Sequence, residues 1–296
     1  DWLSPLETGE EMTIDGFISR MKALNKSNSI FIDNTASAAV ATSYEQILKS
    51  SISVVTPNKI ACSSAYEDYV TLKRTALRYN ANFYFETNVG AGLPVISTLS
   101  DLIKSGDKIH KIQAVLSGSL NFIFNHFTAG SSFTEVVKQA KAEGYTEPDP
   151  REDLSGMDVM RKILILVRES GIAIEPEEVA RQAFIPESCM NASSVEAFFA
   201  ALTQNESVFA EMLDKAQSEG KSLKYVATYE NGKAHTGLEA VGSDHPFYNL
   251  EGKDNIVLFY TDRYREQPLV IKGAGAGAAV TASGIFADIM RIANSN

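Results

Sequence analysis

The sequence predicts an α/β fold, a parallel sheet covered by helices, joined to a second part of α+β character. Three observations predict it. Short apolar runs alternate with amphipathic stretches between residues 29 and 90. A hairpin signal and further strand-like runs follow residue 222, and a glycine-rich turn then leads into a last helix.

Taken in order, SIFIDNT (29–35) reads as a buried strand ending in a polar turn, and 35–50 as a helix capped by Thr35 or Ser37. Residues 51–59 repeat strand and turn, 66–80 form a second helix, and 81–90 a third strand. Ligands of such sheets sit beyond the C-terminal strand ends, where the turns Asp33–Thr35, Thr56–Lys59 and Glu86–Pro94 fall. From about residue 107 the pattern changes. Residues 108–127 read as a strand, a small-residue turn and a helix start, and 133–145 as a helix closed by Gly144. A helix over 155–171 follows, with Ser155 and Asp158 in a capping arrangement, then helical material over 195–220. Strands over 223–272 include a hairpin turned at Asn231-Gly232, and GAGAGAA (273–279) precedes the last helix.

Composition narrows the function. The chain of 296 residues carries a net charge of −10, which argues against nucleic acid or an anionic membrane as partner. Two cysteines give no disulfide framework and suit a reducing, cytoplasmic compartment. No apolar run approaches a membrane span, and DWLSPLETGEE has neither the basic end nor the apolar core of a signal peptide.

Four segments carry candidate chemistry. In YTEPDPREDLSGMDVMRK (145–162), two prolines stiffen an acidic loop holding Glu147 and Asp153, and Asp158 and Lys162 share one helix face. Apolar neighbours place Lys162 at a wall, where a desolvated amine beside carboxylates is tuned for proton transfer. An exposed Asp–Lys pair or a carboxylate cage for a divalent metal would use the same residues. VVTPNK puts Lys59 just past a strand, as a charge for carboxylate or phosphate or as an ordinary turn lysine. ETNVGAGLP turns backbone carbonyls inward beside Glu86, as for a hard cation of low charge, or is a strained turn stopped by Pro94. In GAGAGAA, Gly273, Gly275 and Ala278 fit a phosphate turn at a helix N-terminus, or close packing of that turn.

These segments, with LSGSLNFIF and GAGAGAAVTASGIFADI, stand in an order that resembles homoserine dehydrogenases across nearly the whole chain. The wording is most similar to the dehydrogenase half of bifunctional aspartokinase–homoserine dehydrogenase. The resemblance implies NADP- or NAD-dependent interconversion of L-aspartate 4-semialdehyde and L-homoserine, in threonine and methionine biosynthesis. It implies Lys162 and Lys59 as catalytic residues, and Glu147, Asp153, Asp158, Ser119 and Tyr145 at the substrate. It further implies Thr35, Lys59, Gly275 and Gly277 at the cofactor. A monovalent cation (Na+ or K+) would be held by Glu86, with Val89, Ala91 and Leu93 offering backbone carbonyls.

The expected architecture is an incomplete Rossmann-like dinucleotide-binding domain over 1–86, completed by 278–296, and a substrate-binding and dimerisation domain over 87–277. The family opens with a strand, a GxGxxG-type loop and a helix, and no such segment precedes Asp33. The expectation is a piece starting inside the nucleotide domain, with weakened cofactor binding, acting as a homodimer or larger assembly and fused in the full chain to a kinase part. A catalytically silent oligomerisation and substrate-binding module is the alternative.

Overall fold

The structure, a computed structural model, describes residue 9 and residues 11–294. It holds two sheets. The first is parallel, in the order β1 (Ile30–Ile32), β2 (Ser53–Val55), β3 (Phe83–Tyr84). The second has six strands: β5 (Val179–Arg181), β7 (Lys233–Val241), β6 (Ser222–Glu230), β4 (Ile109–Val115), β8 (Asp254–Thr261), β9 (Leu269–Ala274), in that spatial order. Its neighbours are antiparallel except the β5–β7 pair. The predicted hairpin joins β6 and β7, with Asn231 and Gly232 both at positive φ (52° and 77°), as its tight turn requires.

Four of the expected elements differ from expectation, two for local reasons and two through contacts distant in sequence. The helix over 35–50 is two pieces, Ala38–Ala41 and Tyr44–Leu48, because Thr42 and Ser43 turn their hydroxyls back onto the Ala39 and Val40 carbonyls. Ser37, not Thr35, is its cap. The third strand ends at Tyr84, and residues Glu86–Asn88 form a 3-10 turn. Asp288 of the last helix accepts the Glu86 N–H, while the Asn88 amide donates to the Thr56 and Pro57 carbonyls. The stretch 195–220 breaks at Asn205 into Val195–Gln204 and Glu206–Ser218. Asn205 sends its amide back to the Ala201 carbonyl at 2.8 Å. Finally, Ser155 and Asp158 form no reciprocal cap: the Ser155 hydroxyl accepts the Met157 N–H at 3.2 Å, while Asp158 pairs with Lys162. Gly156, at φ 68°, starts the Met157–Glu169 helix, and a Cβ there would overlap the Tyr225 hydroxyl.

That helix is the pivot of the molecule. Nine of its residues are buried, and it packs against Ile60–Ser63, Val95–Lys104, β6 and β7. Its last turn is clamped to the first sheet's helices. Arg168 donates to the carbonyls of Cys62 (2.9 Å), Ser64 (2.7 Å) and Ile174 (3.0 Å), and Glu169 takes Lys73 (2.9 Å) and the Tyr69 hydroxyl. The final helix, Ala278–Asn294, returns to the first sheet, lying against β2 and the Glu86–Asn88 turn. A Cβ on Gly92 or Gly284 would collide across this contact. Among the described residues no helix is long and apolar enough to cross a membrane.

One buried lysine belongs to the fold rather than to the candidate chemistry. Lys224 of β6 donates to the Asn125 side-chain oxygen (2.5 Å), the Leu250 carbonyl (2.8 Å) and the Asn121 side-chain oxygen (3.3 Å). It thereby pins the 247–254 loop to the Gly118–His126 helix. Burial, aided by the Lys272 charge, pushes its amine down to about 8 from an ordinary 10.5. Between these values the folded chain binds fewer protons at Lys224 than the unfolded chain does, so this group makes stability rise with pH. Chemical denaturation of the wild type and Lys224→Met from pH 8 to 10.5 checks this. The wild type is expected to gain about 2–3 kcal/mol relative to the variant across the window. Parallel curves would refute it.

Candidate active site

The site forms where the end of β2, the end of β4 and the start of the Met157–Glu169 helix converge. A network of buried polar groups at the ends of β1 and β2 sets the approach to Lys59. Asp33 is buried; its carboxylate takes the Tyr44 hydroxyl and the Asn58 amide (3.1 Å). Thr56 donates to the Asp33 carbonyl at 3.0 Å, and Asn58 also holds the Ser37 carbonyl at 3.0 Å. The turn is therefore rigid, and Lys59, which follows Asn58, leaves it in one direction.

Lys59 and Lys162 meet at one carboxylate. Lys162 Nζ lies 2.7 Å from Asp158 Oδ2, and Lys59 Nζ lies 3.3 Å from Asp158 Oδ1. Lys162 is 9% exposed and donates a second bond, at 2.7 Å, to the carbonyl of Leu116 just past β4. The helix periodicity predicts this wall position; the Leu116 carbonyl has no signature in the sequence. Burial lowers the proton affinity of Lys59, and the charges of Lys162 and Arg161 add to this, against the pull of Asp158. For Asp158, burial works against ionisation, but the two lysines outweigh it and hold the carboxyl well below the usual range. Its outer edge stays half exposed, so a ligand can reach the pair.

Asp153 stands beside them. Its Oδ1 accepts from the Ser119 hydroxyl at 2.7 Å and its Oδ2 from the Glu147 backbone N–H at 2.9 Å. Burial pushes its carboxyl up, and these two bonds oppose the shift. Ser119 is itself tied to Ser117, the cap of the Gly118–His126 helix. Tyr145 is stacked on Phe122 with ring centroids 4.0 Å apart, and Lys253 lies over its ring. Glu147 corrects the expectation of a held acid: its backbone is fixed, but its side chain is exposed.

The other candidates separate. Thr35 lies on the exposed rim, its N–H bonded to Asp33 and its hydroxyl accepting from Ser37. Gly277, at φ 119°, faces open space at the start of the 17-residue last helix. Gly275 differs: it is buried, and a Cβ there would overlap the Asn255 amide, so packing explains that glycine. The Glu86 carboxylate is already occupied. It accepts the Ile96 N–H (2.7 Å) and Ser97 N–H (3.0 Å) and pairs with Arg291 (3.1 Å), and so caps the Val95–Lys104 helix instead of offering a charge to a cation. The carbonyls of Val89, Ala91 and Leu93 lie in a turn where Gly90 and Ala91 both have positive φ (81° and 51°). Among the described residues no cluster of three or more His, Cys, Asp or Glu side chains is placed to hold a metal.

Asp33, Asn58, Asn255 and Arg168 were not singled out in the sequence. A polar residue just after an apolar strand was the available signal for Asp33 and Asn58. Nothing local marks Asn255, whose Leu116 partner lies far away in sequence, or Arg168, whose partners include the distant Cys62 and Ser64 carbonyls as well as nearby Ile174.

Known proteins resemble this chain in sequence and in fold. Residues 94–290 match the family described as homoserine dehydrogenase, and residues 7–86 match the homoserine dehydrogenase NAD binding domain. A homoserine dehydrogenase of Schizosaccharomyces pombe is 44% identical over 272 residues, covering 89% of this chain and 72% of its own. Bifunctional aspartokinase/homoserine dehydrogenase 2 of Arabidopsis thaliana is 42% identical over 97% of this chain, which spans only 32% of that protein. Among solved structures, a hyperthermophilic archaeal homoserine dehydrogenase in complex with NADPH superposes with a TM-score of 0.74 at 25% identity, covering 97% of this chain and 76% of its own. With one family spanning both sheets and the Lys59–Asp158–Lys162 cluster between them, this chain belongs to the homoserine dehydrogenases.

Proposed function

We propose that the chain interconverts L-homoserine and L-aspartate 4-semialdehyde with NADP or NAD. One observation carries the reading: two lysines, one from the turn after β2 and one from the Met157–Glu169 helix, share a single carboxylate, and the second is buried with its amine also held by a backbone carbonyl. Asp158 and the Leu116 carbonyl fix two of the three hydrogens of the Lys162 ammonium, leaving one direction for substrate. In alcohol oxidation Lys162 Nζ acts as the neutral amine and takes the hydroxyl proton; in aldehyde reduction the ammonium returns a proton to the carbonyl oxygen. Lys59 supplies charge where substrate and cofactor meet. Asp153, held by Ser119, receives the substrate's ammonium group together with Glu147 on the loop, and Tyr145 closes that side.

The nicotinamide cofactor supplies or accepts the hydride when bound. Gly277, open at a helix N-terminus, fits a phosphate there, with Thr35 and Lys59 along the strand ends and Gly275 holding the turn. A monovalent cation would be met by the backbone carbonyls of Glu86, Val89, Ala91 and Leu93, since the Glu86 carboxylate is committed. In this reading 1–86 with 278–296 form the nucleotide side and 87–277 the substrate side. The reading includes a homodimer, a cytoplasmic location, a role in threonine and methionine biosynthesis, and fusion to an aspartokinase in the full protein.

Calorimetric titration of the chain with NADPH and with homoserine, followed by a spectrophotometric assay with both, tests the proposal. Binding of each and turnover of homoserine, but not of serine, are expected. Homoserine binding with neither cofactor binding nor turnover would replace the enzyme with a silent substrate-binding module.

A further inference from the structure

We propose that Asn255 is a positioning residue for Lys162: its side-chain amide competes with that lysine for the Leu116 carbonyl and so sets how firmly the carbonyl grips the ammonium group. The consequence for catalysis rests on the dehydrogenase reading; the competition itself does not. Asn255, at the start of β8, is wholly buried. Its Nδ2 donates to Leu116 O at 3.3 Å, and the same oxygen accepts Lys162 Nζ at 2.7 Å. Its Oδ1 is buried and finds no partner among the described residues. Reversing the amide would set Oδ1 against the Leu116 oxygen, so the nitrogen must face the carbonyl. Gly275 closes the other side, since any Cβ there would overlap the amide and push it out of place. The glycine before the last helix thus keeps Asn255 in line, and Asn255 keeps part of the Leu116 carbonyl from the lysine.

The charges that meet Lys162 are Asp158 on its own helix and Lys59 beyond β2; Arg161 acts on Lys59, and Asp153 interacts with Asp158. Leu116 and Asn255 contribute only dipoles. A carbonyl shared by two donors holds each less tightly, so removing the amide strengthens the remaining bond to the ammonium and raises the pH at which Lys162 gives up its proton.

NMR of lysine 13Cε resonances in the full chain reads this without turnover, with Lys162 assigned by Lys162→Arg. In Asn255→Leu the Lys162 midpoint is expected to rise by about half a pH unit. Asn255→Ala, which only vacates space, gives the same reading if the leucine variant fails to fold. In an active chain the pH profile of kcat for homoserine oxidation moves the same way, with KM within about twofold. A folded variant whose Lys162 midpoint is unchanged or lower overturns the proposal. A wild type without turnover removes the dehydrogenase reading, and the titration still decides the role of Asn255.

Discussion

Lys162→Ala is expected to lower turnover roughly 1,000-fold, the range lost when a positioned acid–base group is removed. The fold should survive. Asp158 keeps Lys59 as partner at 3.3 Å, and the Leu116 carbonyl keeps the Asn255 amide at 3.3 Å, so no buried group is orphaned by the truncation. NADPH affinity should stay close to wild type, since the proposed reading puts Lys162 at the substrate and not at the cofactor. Lys162→Arg sharpens the reading: it retains the charge but cannot release a proton near neutral pH, so an equal loss points to proton transfer rather than to charge. Steady-state rates and a calorimetric NADPH titration check both variants. Turnover within a few-fold of wild type in Lys162→Ala would take this lysine out of the mechanism.

The second large effect concerns stability. Arg168→Met is expected to cost about 3–5 kcal/mol. The guanidinium is 2% exposed, serves three backbone carbonyls and lies 5.6 Å from the ring centroids of both Tyr66 and Tyr69. Methionine fills much of the space but leaves the Cys62, Ser64 and Ile174 carbonyls without their donor. Arg168 also ties the helix carrying Lys162 to the segment following Lys59, so the two lysines should lose their alignment. Urea denaturation should show a lower midpoint at an unchanged slope, and turnover of the folded fraction should fall. An unchanged midpoint would mean that Arg168 is not what holds this junction together.

The contrast between these residues shows what a sequence can carry. Lys162 was legible because its signal is local. Asp158 sits four residues before it on a helix whose remaining positions are apolar, so burial and pairing both follow from periodicity. Lys59 was legible because a strand end is a defined place in a parallel sheet. The same local logic misjudged Ser155 and Asp158 as a reciprocal cap, because it could not see that Asp158 has two lysine partners and that Tyr225 demands a glycine at 156. It misjudged Glu86 in the same way. A carboxylate beside a glycine turn suits a cation, but here the following helix N-terminus and Arg291, about 200 residues on, take it up.

By itself the sequence determined the alternation of strands and helices, the hairpin at Asn231-Gly232 and the pairing of Asp158 with Lys162. Hydrophobic period, turn chemistry and helical spacing all act within a few residues. The tertiary structure alone decided that Lys59 reaches the same carboxylate, that the Leu116 carbonyl and Asn255 complete the surroundings of Lys162, and that Arg168 locks the helix in place. Those contacts join positions that chain folding brings together across two sheets, and a buried polar group takes whichever partner packing leaves within its reach.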